Sequence, residues 1–435
     1  MTVETTQIKL KILTPLWIGD IDKKCLEIKE SGIIGSLRWW FEAIVRGLGY
    51  FACDPTGEGK CPVRFRDKQS TIEFENYCIA CLIFGATGIR RLFKLEIDQN
   101  LKRCFYGTHI QIKPKNRKRG WFLGSGLVGE FSIKIIPLDS DFDKNLILLP
   151  LVLISKWGGL GAKTQHGYGV VELENGSNIN ISDFKNAIDK IKLSERLKRL
   201  DKSIILRTGN INNLPNIKDM FFAKIQFEVK NDEWWKKIDG INDISKIREW
   251  VKSGSVPIAP AIKNWLRFEE GKRLWLKDNK DKNERKRIEN WLFGTTNRVC
   301  SYCYQDVRKH KSNPKNFWCP NCEKSLSKNE TIERISSKIN VSCAYKISDN
   351  IWEFRIWGWI PRENLPNSFD RDNFLDSLKD AIEHEGSAPM PYTELLGEDT
   401  QDHKLIAWRE YNSPRDTIKQ NESNIDKYIQ SVIEG

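Results

Sequence analysis

Four cysteines of this 435-residue chain stand as two Cys-x2-Cys pairs, Cys300/Cys303 and Cys319/Cys322, on either side of a polar loop. Thiolates at that spacing wrap one tetrahedral Zn²⁺. The alternatives are unmetallated turns or a redox motif, although redox pairs do not usually come doubled. A second group comprises Cys53, Cys61, Cys78 and Cys81, of which only Cys78 and Cys81 form a close pair. Cys53 and Cys61 bound a turn containing glycine and proline, so this group is either a second zinc site or a set of loosely buried free thiols. Four thiolates leave a metal no open position for an activated water. Neither group is therefore expected to be catalytic.

Lys and Arg total 70 against 58 Asp and Glu, a formal charge of +12. Such a surplus favours a polyanionic partner, since each phosphate neutralised releases condensed counterions. The 16 Trp residues include candidates for stacking on single-stranded bases. The densest cationic run is Lys113-Pro114-Lys115-Asn116-Arg117-Lys118-Arg119, followed by Trp121, and it is expected to contact an RNA backbone rather than cap a solvated hairpin. Arg38 and Arg46 lie eight residues apart on one helix. They could meet phosphates along it or be a solvated flank. Lys263 and Arg267 repeat that idea further along the chain.

Residues 158–169 read Gly-Gly-Leu-Gly-Ala-Lys-Thr-Gln-His-Gly-Tyr-Gly. A plain connection needs about 2–6 residues, so a loop of this length and glycine content is expected to bind something. Gly159 and Gly161 would let the backbone approach a ligand with its N–H groups free. Lys163 would add a charge, and His166 and Tyr168 edges for stacking or hydrogen bonding. His166 could instead be a general base on an RNA 2′-hydroxyl, with Lys163 stabilising the developing charge. Residues 37–46 supply no His or Tyr as a second acid–base group, and the other histidines are scattered. The expectation is RNA binding without catalysis.

These residues must be placed by a scaffold, and its order is legible. Strands are expected at 8–13, 92–97, 131–136 and 170–174, with helices at 35–47 and 146–157. Ser36 is the candidate N-cap, and Leu37, Trp40, Phe41 and Ile44 form an apolar stripe. That is β-α-β-β-α-β, a ferredoxin-like order. After a polar stretch carrying a helix at 184–200, the order restarts with strands at 222–229, 335–347, 351–360 and 404–408. Helices are expected at 259–268, opened by Pro260, and at 372–384. The Leu-Phe-Gly turn at 292–294 echoes Leu82-Ile83-Phe84-Gly85. The run 277–287 reads as a surface helix or loop. The fold class is α+β: a first domain at 1–175, a linker with a helix at 176–216, and a diverged second domain at 217–435 with a zinc ribbon at 298–325. No apolar run approaches the ~20 residues of a membrane span, and residues 1–4 lack the features of a secretion signal. A cytoplasmic protein is expected.

The helix Ile34-Gly35-Ser36-Leu37-Arg38, the turn Leu82-Ile83-Phe84-Gly85 and above all the loop 158–169 resemble the RAMP superfamily of CRISPR proteins. Residues 35–49, with the Trp39-Trp40 pair and the following Cys-Asp-Pro turn, are similar to the family of first subunits of the Cmr (type III-B) complex. The resemblance covers most of residues 5–175, and the second half only through element order and the Leu-Phe-Gly turn. It implies two tandem RAMP domains near the guide 3′ end, with guide or target RNA and other RAMP subunits as partners. Two alternatives remain: a metal-independent nuclease processing repeat RNA through His166, and a zinc-ribbon docking subunit.

Overall fold

The computed structural model describes residues 5–435 other than 21, 23, 58, 67–72, 116, 175–178, 194–203, 207–213, 277–280 and 311–315. It is a mixed α and β fold built on two antiparallel sheets. The first sheet contains β1 (Thr6–Ile12), β2 (Phe93–Arg103), β3 (Leu127–Pro137) and β4 (Val171–Leu173) in the order β2-β3-β1-β4. Two helices cover it: α1 (Glu30–Gly47) follows β1, and α3 (Asn145–Trp157) precedes β4. A short helix, α2 (Ile79–Phe84), sits between α1 and β2. Alternation sets the faces of the central strand, where Ile8, Leu10 and Ile12 are buried and Lys9 and Lys11 are not. The pairs Ile8–Ile133 and Leu10–Phe131 fix its register.

The second sheet repeats the pattern with β5 (Met220–Val229), β6 (Ile339–Val341), β7 (Ala344–Lys346), β8 (Ile351–Trp359) and β9 (Thr400–Glu410). β7 and β6 both pair with β8, β8 with β5, and β5 with β9. Helices α5 (Ala259–Phe268), α6 (Lys282–Phe293) and α7 (Arg371–Ile382) accompany it. The cysteine-bearing insert lies between α6 and β6, with small antiparallel pairings of its own. Only residues 184–193 of the helix expected at 184–200 lie among the described residues. Residues 184–192 belong to α4 (Ile181–Lys192), which is capped by Asn180. The sequence reading missed α8 (Ile425–Glu434), whose first turn is capped by Asn424.

α1 starts at Glu30, so Ser36 is not its N-cap. Ile33 and Ile34 extend the apolar stripe one turn back from Leu37, and the helix follows. The single strand expected at 335–347 is two, because Ser342 and Cys343 leave the ladder. Ser342 Oγ accepts from Arg355 N, and Cys343 N donates to the Gly167 carbonyl of the first sheet's loop.

One apolar core runs through both halves. α3 is apolar all round because it is packed on every side, against α1, α4 and α8 as well as the sheet. Its Trp157 Nε1 donates to the Val432 carbonyl at 2.7 Å. Trp40 of α1 stacks on Phe222 of β5 at 6.2 Å. No described helix is long and apolar enough to cross a membrane.

Candidate nucleic-acid groove and cysteine centres

The glycine-rich loop forms a short 3-10 turn at Thr164–His166 between α3 and β4. Most of its N–H groups are already committed. Gly161 N donates to Ser36 Oγ, Ala162 N to the Trp17 carbonyl, Leu160 N to Gly169 O, and Gly169 N to Pro15 O. The expectation of a free nest of amides is therefore corrected. The glycines serve close approach instead: a Cβ at Gly158 would lie 2.2 Å from the Trp40 ring, and one at Gly169 2.1 Å from the Leu160 carbonyl. Tyr168 is no stacking surface either. It is fully buried, donates to the Gly124 carbonyl and packs edge-on to Trp17.

The loop does form one wall of an open groove of about 570 Å³. Gly159, Gly161, Lys163 and Thr164 face Trp39 and Ser36 of α1, and the second half contributes Ser336, Ser337, Asn340 and Trp359. Lys163 Nζ lies 3.1 Å from the centre of the Trp17 ring. Burial lowers its pKa to about 8. Thr164 Oγ1 donates to Asn340 Oδ1 across the groove. His166 packs edge-on to Trp121 at 5.6 Å. Burial, then the nearby charges of Lys263 and Lys163, lower its pKa to about 3, so the ring is neutral at physiological pH.

The second wall was missed from sequence because the residues it contributes, Ser336, Ser337, Asn340 and Trp359, carry no charge. Trp39 was within reach of inference: adjacent residues on a helix point about 100° apart, so the stripe that buries Trp40 turns Trp39 outward. Trp39 is 37% exposed and Trp40 only 3%.

Lys263 does not reach a phosphate. It is buried between the two halves, donating to the Gln165 and Ile339 carbonyls and to Ser337 Oγ. Arg267 pairs with Glu289 at 2.9 Å. In the basic loop, Lys113, Lys115, Lys118 and Arg119 are exposed. Arg117 is half-buried, with its guanidinium 3.7 Å from the centre of the Phe268 ring, and Lys115 N donates to Asp239. The loop thus staples the two halves while presenting four cations.

Arg38 and Arg46 are likewise turned inward. Arg38 donates to Glu42 Oε1 at 2.7 Å, to the Gly85 carbonyl and to Cys81 Sγ at 3.1 Å. Arg46 donates to the carbonyls of Ala52, Cys53 and Pro215. The buried Glu42 lies between them. Their spacing of eight does put both on one face, and that face meets the cysteine turns rather than solvent.

Both four-cysteine groups are assembled, each with all sulfurs within 4.8 Å of one another, and either could hold a metal. A tetrahedral Zn–S length of about 2.3 Å implies sulfurs about 3.8 Å apart. Cys300 and Cys322 lie 3.9 Å apart and Cys303 and Cys319 3.5 Å. In the other group, Cys53 lies 3.6 Å from Cys81 and 3.7 Å from Cys78.

Fold order, glycine loop and paired aromatics together describe a class, and comparison shows what it is similar to. Residues 9–172 match the RAMP superfamily. No curated protein matches the chain. Among solved structures it is similar to Cmr1 from Pyrococcus furiosus, at 12% identity over 86% of this chain and 97% of that one, TM-score 0.31. It is also similar to a chain of the type III-B Cmr-beta bound to cognate target RNA and AMPPnP in the presence of ssDNA, at 13% identity over 86% and 99%, TM-score 0.39.

Proposed function

We propose that this chain is a non-catalytic RNA-binding subunit of a type III-B CRISPR effector complex, built from two tandem ferredoxin-like domains with a zinc ribbon inserted in the second. The groove between the glycine loop, α1 and β6 carries the reading. It offers one cation, Lys163, exposed indole surface at Trp39, and hydroxyl and amide groups from both halves. Such a surface suits a single strand held by backbone and stacking contacts without base-edge readout. Lys113, Lys115, Lys118 and Arg119 extend the cationic track. Guide or target RNA is the ligand class, and neighbouring RAMP subunits are the protein partners. The order in which strands pair in each sheet, second–third–first–fourth, supports the tandem reading. The sulfur spacing in the insert supports one structural zinc at Cys300, Cys303, Cys319 and Cys322.

The environment of His166 favours binding over cleavage. With its pKa lowered to about 3 by burial and by two nearby lysines, the ring accepts a proton too weakly to be an effective general base. The test incubates the full chain with end-labelled single-stranded RNA, with and without EDTA, and splits each reaction between native and denaturing gels. The expected result is shifted, intact RNA whose binding weakens steeply with salt. RNA cut in EDTA by the wild type and left whole by His166→Ala would replace this reading with the nuclease.

A further inference from the structure

We propose that Cys53, Cys61, Cys78 and Cys81 bind a second Zn²⁺, and that Arg38 of α1 is the charge partner that holds this thiolate cage against the helix. Three independent features of the site point there.

The first is geometry. The sulfurs converge from two separate turns, one around 53–61 and one at the start of α2, to the separations a tetrahedral soft cation requires. All four residues are buried. Cys78 N also donates to Cys61 Sγ at 3.2 Å, a contact that orients a ligand sulfur.

The second is the donor to sulfur. Arg38 Nη2 lies 3.1 Å from Cys81 Sγ. A guanidinium can only donate, so the sulfur must accept, and a thiolate does so far better than a thiol. Four free thiols have no need of a partly buried permanent cation beside them. A Zn²⁺ with four thiolates carries a net charge of −2, which does.

The third is the way that cation is fixed. Glu42 takes Arg38 on one oxygen and Arg46 on the other, at 2.7 and 3.4 Å. Arg46 in turn donates to the carbonyls of Ala52 and Cys53, flanking the first ligand. Arg38, Glu42 and Arg46 therefore form a rail along α1 whose ends are set by the cysteine turns. The metal would order those turns, and the rail would transmit that order to the helix whose adjacent face lines the groove. The proposal stands whether or not RNA is the groove's ligand.

The test measures metal in the purified full chain by mass spectrometry, in the wild type and in two double variants. Two zinc equivalents are expected in the wild type. One is expected in Cys78→Ser/Cys81→Ser and one in Cys300→Ser/Cys303→Ser. Cobalt replacing zinc in the latter variant should show intense sulfur-to-metal charge transfer and tetrahedral visible bands, a readout that does not require the first variant to fold. Arg38→Met should hasten release of that cobalt to a chelator by tenfold or more and leave release from the ribbon centre unchanged. One zinc in the wild type with none in Cys300→Ser/Cys303→Ser, or iron in place of zinc, would overturn the assignment. Unchanged release in Arg38→Met would remove the arginine's part in it.

Discussion

Trp39→Ala separates the groove from everything around it. Trp39 is 37% exposed and leans edge-on against Trp40, so one ring face is open to a base. Base–aromatic stacking is worth about 1–3 kcal/mol. With much of the ring already covered, the lower part of that range applies, about 1–2 kcal/mol, or roughly 5- to 30-fold in Kd. Truncating a residue this exposed should cost the fold clearly less than the ~3–5 kcal/mol of a buried tryptophan. Trp40→Ala, by contrast, should incur that full cost, because the ring fills the space between Gly158 and Phe222. Fluorescence anisotropy with a labelled single-stranded RNA, repeated across a salt series, is the assay. Trp39→Ala should shift the plot of log Kd against log salt without changing its slope, since no counterion is released by an indole. Trp39→Phe should recover part of the loss. An unchanged Kd in a Trp39→Ala protein that melts like the wild type would refute stacking in the groove.

Three further outcomes follow from individual groups. RNA affinity should weaken as pH rises from about 7 to 9, because Lys163 titrates near 8 and binds phosphate only when charged; Lys163→Arg should flatten that dependence in the same anisotropy assay. His166 and His403 are held near 3 and 4 by burial, so the unfolded chain takes up their protons first. Their contribution to stability is thus full above about 6.5 and lost as pH falls toward 4 and then 3, which urea midpoints across that range would register. Gly169→Ala places a methyl against the Leu160 carbonyl at a positive φ and should destabilise by about 1–3 kcal/mol, read as a lowered urea midpoint.

Much of the scaffold was readable because its signals are local. The alternation of Ile8, Leu10 and Ile12, the stripe through Leu37, Trp40, Phe41 and Ile44, and the paired cysteines each state their structure within a few residues. The cations were the poor guide. Arg38, Arg46 and Lys263 look like phosphate ligands by type and spacing, yet each is drawn inward by an acceptor far away in sequence: Gly85, Pro215 and Ile339. The same holds for the glycine loop, whose amides are taken by Pro15, Trp17 and Ser36. A pattern of residue types tells which groups can make a contact. Which partner they meet is settled by tertiary packing, and here the two halves meet each other first.

The placement of α8 has a consequence for how the chain is made. Its Val432 carbonyl receives the Trp157 indole 275 positions away, and Gln430 and Asp426 bond Ile181 and Lys185 of α4. A ribosome therefore releases α3 and α4 long before the helix that packs on them exists. Until then the apolar outer face of α3 is open to water, to chaperones or to another nascent chain. At about 5–20 residues per second, that interval lasts on the order of tens of seconds. Expression yield should accordingly be sensitive to whatever can shield α3 during that wait.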